Sequence, residues 1–139
     1  MKLSEILNSI FENTSFDDLR SKLLSFGGKS VDEVFEENLN ELLTRGQVFK
    51  PSKIEKVKMK QSRCHENAAC FWYNYTKENG TKDLKIATGW ALYGDEWVQH
   101  SWLYMPISNR IIETTIQWTK YFGYILTDDE AREFYFNNN

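Results

Sequence analysis

Cysteine and histidine are scarce in this chain of 139 residues, which has two of each. Cys64 and Cys70 lie six residues apart in a segment of helical pattern, so they fall on different helix faces, which argues against a disulfide between them. Long hydrophobic runs are also missing. Nowhere do about 18 apolar residues follow one another as a membrane span requires. Met1 to Phe11 alternates polar and apolar residues without the continuous apolar stretch of a secretory signal. A large charge of one sign is absent too: the net charge is -3, which supplies no global attraction to nucleic acid. These absences lead us to expect a soluble cytoplasmic protein with free thiols, no membrane association and no nucleic-acid partner.

What is present is apolar and aromatic. A hydrophobic content of 41% with 15% aromatic residues suffices for one packed domain over residues 1–139. The aromatic residues concentrate between Phe71 and Phe136, where they build a core or line a shallow groove. Charge is uneven along the chain. Pro51 to Arg63 hold five basic side chains and one acidic, while the flanking segments are acidic. A lysine-rich strip of this kind is the usual dress of a solvated edge strand, and it also suits an anionic substrate.

The periodicity divides the chain into a helical N-terminal part, residues 1–46, and an α+β core, residues 47–139. Leu3, Ile6, Leu7, Ile10 and Phe11 recur at helical spacing, and Ser15 with Asp18 resembles a capping box opening a second helix. Gly27-Gly28 ends it. Ser30 with Glu33 predicts a third helix through Val31, Val34, Phe35, Leu39, Leu42 and Leu43. A short strand at Ile54 to Lys58 precedes a helix from Arg63 to Lys77, stopped by Asn79-Gly80. From Leu84 the period becomes that of strands: Leu84 to Tyr93, Trp97 to Met105 and Arg110 to Ile116, joined by turns in an antiparallel meander. Thr127 caps a last helix whose first turn is acidic.

The residues suited to chemistry come in the order cysteine, histidine, acid. Cys64 opens the central helix, and a helix N-terminus near an imidazolium favours the thiolate form of a cysteine. His100 lies mid-strand, with Val98, Trp102 and Tyr104 on its face. A four-residue turn after Met105 sets Met105 opposite Arg110 and Trp102 opposite Glu113. Glu113 then shares the face of His100 at the diagonal, roughly 5 to 7 Å away. A two-residue turn would carry Glu113 out of reach, and a slip of one residue would substitute Thr114. Taken singly, each residue has a commoner structural use. Their combination points to a nucleophile, a base and an orienting carboxylate.

Supporting roles follow from position. The backbone N–H of Cys64 is one oxyanion donor, with Gln61 or Gln47 as the second. Asn67 sits one turn after Cys64 on the same face, where it can hold the nucleophile loop, a substrate or the sheet. His65 points about 100 degrees away from Cys64, so it lines a pocket or the surface rather than sharing the thiol proton. A zinc site from Cys64, His65, Cys70 and His100 lacks the paired spacings of structural zinc centres, so neither a metal nor a cofactor is expected. Trp90 and Trp97 are expected to line a substrate groove.

The motifs Cys64-His65-Glu66-Asn67-Ala68, Gly89-Trp90-Ala91, His100-Ser101-Trp102, Ile112-Glu113-Thr114-Thr115 and Tyr121-Phe122-Gly123 resemble those of small uncharacterised microbial proteins. Those carry C-x-x-N-A, H-A-W, D-x-T and Y-F-G. That resemblance covers roughly Arg63 to Ile125, and the wider superfamily it implies is that of the papain-like and transglutaminase-like cysteine enzymes. It implies Cys64 as nucleophile, His100 as base and Glu113 in the position commonly held by Asp, with Trp102, Thr115 and Asn67 in support. The implied fold is α+β, a helix bearing the cysteine packed on an antiparallel sheet of about four strands. The implied activity is thiol-dependent hydrolysis of an amide, peptide or isopeptide bond in a protein, peptide or small amide. Two alternatives stand beside it: acyl transfer to an amine, and a non-catalytic binding or inhibitor module using Trp90, Trp97 and Trp102 as its contact patch.

Overall fold

A computed structural model describes residues 3–139, except for the side chains of residues 4–15. The chain forms an α+β fold in the order α1 (Leu3–Phe26), β1 (Ser30–Val31), α2 (Leu39–Arg45), β2 (Gln47–Val48), β3 (Lys53–Lys56), α3 (Cys64–Asn79), β4 (Lys85–Tyr93), β5 (Glu96–Met105), β6 (Arg110–Glu113), β7 (Lys120–Ile125) and α4 (Asp128–Asn138). The strands make one sheet of order β2-β7-β4-β5-β6-β3, with β1 paired to β5. It is mostly antiparallel; β3 on β6 and β1 on β5 run parallel.

The sheet has seven strands where the alternation of residues announced about four. The long strands β4 and β5 are those expected, and β6 is the expected third strand, ending at Glu113 rather than Ile116. Tyr121 to Tyr124 of β7 are buried on both faces, so the segment reads as a continuous apolar run without a strand period. β1 and β2 have two residues each, too few to show any period.

The N-terminal part differs from expectation more. One continuous helix, α1, replaces the two predicted from the Ser15 and Asp18 pair, so that pair does not start a helix. The stripe from Ile6 to Phe11 and the side chain of Ser15 lie outside the described side chains. From Phe16 onward, α1 buries Leu19 and Leu23 in the core. Each such burial is worth about 1.5–3 kcal/mol. Gly27 (φ 141°) and Gly28 (φ 78°) then turn the chain, and a Cβ on Gly28 would meet Leu92 and the Asp95 carbonyl at 2.9 and 3.0 Å. The helix predicted to begin at Ser30 does not form there. Ser30 and Val31 instead pair with Glu96 and Trp97 of β5, Val34 and Phe35 are exposed, and only Leu39–Arg45 is helical.

Two cores flank the sheet. On one face the helices cover Ile86, Trp90, Trp97, Leu103 and Phe122, with Ala68 and Trp72 of α3 pressed onto them. The other face holds a second cluster of Phe49, Ala87, Ala91, Trp102, Ile111 and Tyr121, against which Trp118 of the β6–β7 loop packs. Arg45 ties α2 to α4 with two bonds of 2.9 Å to the Glu130 carboxylate. Glu130 also completes a capping box with Thr127 at the start of α4. Among the described residues no helix is long and apolar enough to cross a membrane.

Candidate active site

The site is built at an interruption in the sheet. One edge of β5 pairs throughout with β4. Its other edge pairs with β1 at Glu96 and Trp97 and with β6 from Leu103 to Met105. Among the described residues no strand pairs with Val98 to Trp102 on that edge. The start of α3 reaches this interval. Cys64 lies near enough to the His100 ring to raise its pKa, and His65 Nδ1 lies 2.6 Å from Ser101 Oγ. His100 and Ser101 are consecutive strand residues, so they point to opposite faces. Two consecutive helix residues thus straddle the strand edge, which is why His65 serves a different partner from Cys64.

The loop into α3 is held tightly. Met59 donates its backbone N–H to the Thr114 carbonyl, and Asn67, 2% exposed, donates its amide to the Lys60 carbonyl at 2.7 Å. Glu66 binds Lys60 and Arg63 at 3.1 and 3.2 Å. Ser62 takes a positive φ of 57°, a conformation that costs a non-glycine residue on the order of 1 kcal/mol and recurs at functional sites. Arg63 at the N-cap supplies no side-chain cap. The first-turn N–H groups of α3 therefore have no helical acceptor.

Register brings Glu113 to the His100 ring. Met105 pairs with Arg110, Tyr104 with Ile111 and Leu103 with Ile112, the four-residue-turn pairing. His100 Nε2 and Glu113 Oε1 are 2.8 Å apart, both residues almost wholly buried. Tyr121 O–H donates to the same oxygen at 2.8 Å. The Thr115 backbone N–H and hydroxyl donate to Oε2 at 2.9 and 3.0 Å. Each carboxylate oxygen thus has two donors, which fills its acceptor capacity. With Nε2 engaged, His100 has Nδ1 left for the thiol.

Electrostatics follow from this arrangement. Burial opposes the charged form of His100, but the hydrogen bonds and charges of Cys64 and Glu113 outweigh it and push its pKa up to about 9. Burial also opposes the charged form of Glu113. The His100 bond and charge, with the Thr115 and Tyr121 donors, reverse that and hold it below the usual carboxylate range. Burial, then the Glu113 charge, drives the Tyr121 phenol far above its ordinary value, so it stays a donor. The His100 ring stacks on Trp102 at 5.9 Å and 21° and meets Trp118 at 4.8 Å. Trp102 can lie there because Gly123 beneath it has no side chain: a Cβ on Gly123 would sit 2.7 Å from Trp102 Cη2.

Of the residues expected in the site, Cys64, His100, Glu113, Asn67, Trp102 and Thr115 come together. Gln61 is exposed in the turn before α3, and Gln47 lies in β2, at the far edge of the sheet from β5. Gln47 is therefore not a second oxyanion donor. Trp90 and Trp97 do not line a groove. Both are fully buried on the helical face, with their indole N–H groups bonded to Glu36 and to the Gly27 carbonyl. Trp102 is equally buried, so the three tryptophans form no contact patch. Tyr121 was missed as a partner of Glu113, because a tyrosine in an unbroken apolar run gives no sign of where its hydroxyl goes. Among the described residues no three His, Cys, Asp or Glu side chains are grouped to hold a metal ion. No protein-family model, curated protein or solved structure matches the chain.

Proposed function

We propose that the protein is a cysteine-dependent hydrolase of an amide, peptide or isopeptide bond, with Cys64 as nucleophile, His100 as general base and acid, and Glu113 as the residue that orients His100. The observation that carries this reading is the His100 ring, held by a buried carboxylate whose oxygens are filled by four donors and near enough to Cys64 for the cysteine to raise its pKa. That environment leaves the ring one orientation and stabilises its protonated form, which is what accepting a thiol proton requires. Cys64 is only partly buried, so a substrate can approach the sulfur while the base stays dry.

In the proposed reaction the thiol proton is already held by His100 when substrate binds, and the sulfur attacks the carbonyl carbon. The oxyanion faces the uncapped N–H groups at the start of α3, the Cys64 N–H among them. His100 then returns its proton to the departing amine as the carbon–nitrogen bond breaks, leaving a thioester on Cys64. Water, deprotonated by His100, attacks the thioester, releases the acid and restores the thiol. An amine in place of water would give acyl transfer by the same steps. The resemblance to papain-like and transglutaminase-like enzymes supports the same assignment. The burial of Trp90, Trp97 and Trp102 removes the surface on which the binding-module alternative rested.

p-Nitrophenyl acetate tests this without knowledge of the natural substrate. We expect a burst of nitrophenolate, an acetyl adduct found by mass spectrometry on the Cys64 peptide, and loss of the burst in Cys64→Ala and His100→Ala. Acetylation spread evenly over Cys70 and the lysines, unchanged by His100→Ala, would refute it.

A further inference from the structure

Glu36 is a buried acid that the Cys64 chemistry does not use. The loop between β1 and α2 carries it onto the helical face of β4 and β5, where it is 8% exposed. Trp90 Nε1–H donates to Oε1 at 2.9 Å, the Gln99 amide reaches the same oxygen at 3.4 Å, and the Asn38 backbone N–H donates to Oε2 at 2.9 Å. The carboxyl is fixed in place, and one acceptor position of Oε2 stays unclaimed. A buried carboxylate needs a counter-charge. Burial raises the pKa of Glu36, and the charge of Glu37, of the same sign, raises it further.

In front of Glu36 opens a cavity of about 390 Å³, lined by Glu36, Glu37, His65, Gln99, Phe134 and Asn137 among others, and among the described residues by no lysine or arginine. It adjoins a second hollow of about 310 Å³ bordered by Glu41, Glu130 and Glu133. Burial, with the charge of nearby His100, lowers the pKa of His65, so its ring is neutral at pH 7. Its Nδ1 pairs with Ser101 Oγ, which in turn pairs with Thr88 Oγ1 at 2.8 Å. When Nδ1 carries the ring proton and donates to Ser101, His65 Nε2 is an acceptor. The Gln99 amide nitrogen serves Phe35 and Glu36, which leaves its oxygen free as well.

We propose that this cavity binds a primary ammonium group, with Glu36 as counter-ion. An ammonium carries three N–H donors, and the residues lining the cavity include the carboxylate of Glu36 and the amide oxygen of Gln99, with His65 Nε2 a third acceptor in the Nδ1–H tautomer. Phe134 supplies an apolar side for the attached carbon chain. The site lies across β5 from His100, so it stands independently of the thiol reaction. Such a group arrives either on a free small amine or on a lysine side chain of a polypeptide.

The test is a titration of 15N-labelled full-length protein with butylammonium chloride, following the Trp90 indole N–H and the His65 ring by NMR. The expected result is a saturable shift at both, absent with 1-butanol, and affinity at least tenfold weaker in Glu36→Gln. Asn137→Trp, on the exposed last turn of α4, fills the cavity mouth without touching the core and abolishes the shift. Nα-acetyl-lysine methylamide distinguishes the sources: binding as tight as butylammonium assigns the site to lysine side chains, and binding of butylammonium alone assigns it to free amines. Equal shifts with butanol, no saturation with butylammonium, or undiminished binding in a folded Asn137→Trp protein would overturn the proposal.

Discussion

Glu113 shows at the scale of one residue how a buried charge is made useful. Its four donors offset the desolvation of the carboxylate, and only one of them, His100, is also in reach of Cys64. Removing Tyr121 O–H leaves Oε1 to His100 alone, and a hydrogen bond to a charged group is worth about 1.5–3 kcal/mol. Tyr121→Phe is therefore expected to lower unfolding stability by that amount in urea titrations, while the burst with p-nitrophenyl acetate slows. A Tyr121→Phe protein of unchanged stability would show that the hydroxyl does not hold the carboxylate. The Cys64, His100 and Glu113 set was legible in the sequence because helix start and strand alternation assign faces without tertiary knowledge. Glu113 depended in addition on the turn length at Pro106 to Asn109, and the register observed is the one that makes the diagonal work. Glu36, Tyr121 and Trp118 were not legible as neighbours of these sites, since each arrives from a loop or an unbroken apolar strand.

Among the elements, α3 and the crossing of β4 with β7 position the chemistry. Gly89 and Gly123 face each other across those two strands. A Cβ on Gly123 would lie 2.4 Å from the Thr88 carbonyl oxygen as well as against Trp102. Neither neighbour yields, one being backbone and the other the platform under His100. Overpacking of this kind costs about 3 kcal/mol or more. We expect Gly123→Ala to lower the melting temperature markedly and to slow modification of Cys64 in whatever protein remains folded; a near-neutral substitution would mean that the strands can part there. The strands that sequence periodicity revealed include the two longest, β4 and β5. Those it missed or misplaced have physical reasons: β7 is buried on both faces, β1 and β2 have two residues each, and Ser30 pairs with β5 instead of capping a helix. A capping-box pattern competes with strand pairing, and here tertiary pairing wins.

For the whole molecule, the buried pair makes stability depend on pH in a definite sense. The His100 pKa stands at about 9 in the fold, above its ordinary value of about 6.5. Its contribution is fully present below about pH 6.5 and is lost as the pH rises through about 9. The Glu113 pKa is depressed, so its contribution is present above the usual carboxylate range and is lost as the pH falls through the lowered value. Stability is thus expected to be highest between about pH 5 and 6.5 and to fall by on the order of 3 kcal/mol toward pH 10. His100→Asn should show a smaller alkaline fall in thermal unfolding. Parallel curves for the two proteins would mean that the pair contributes nothing to folding.

The central claim is that His100 acts on Cys64, and the chain offers an internal control in Cys70, on the same helix and also partly buried. The most direct measurement is the rate at which iodoacetamide modifies each cysteine at pH 7, read by mass spectrometry of the two peptides. The account predicts that Cys64 reacts at least roughly tenfold faster than Cys70 and loses that advantage in His100→Ala. Equal, slow rates at the two thiols, or a fast Cys64 indifferent to His100→Ala, would contradict it.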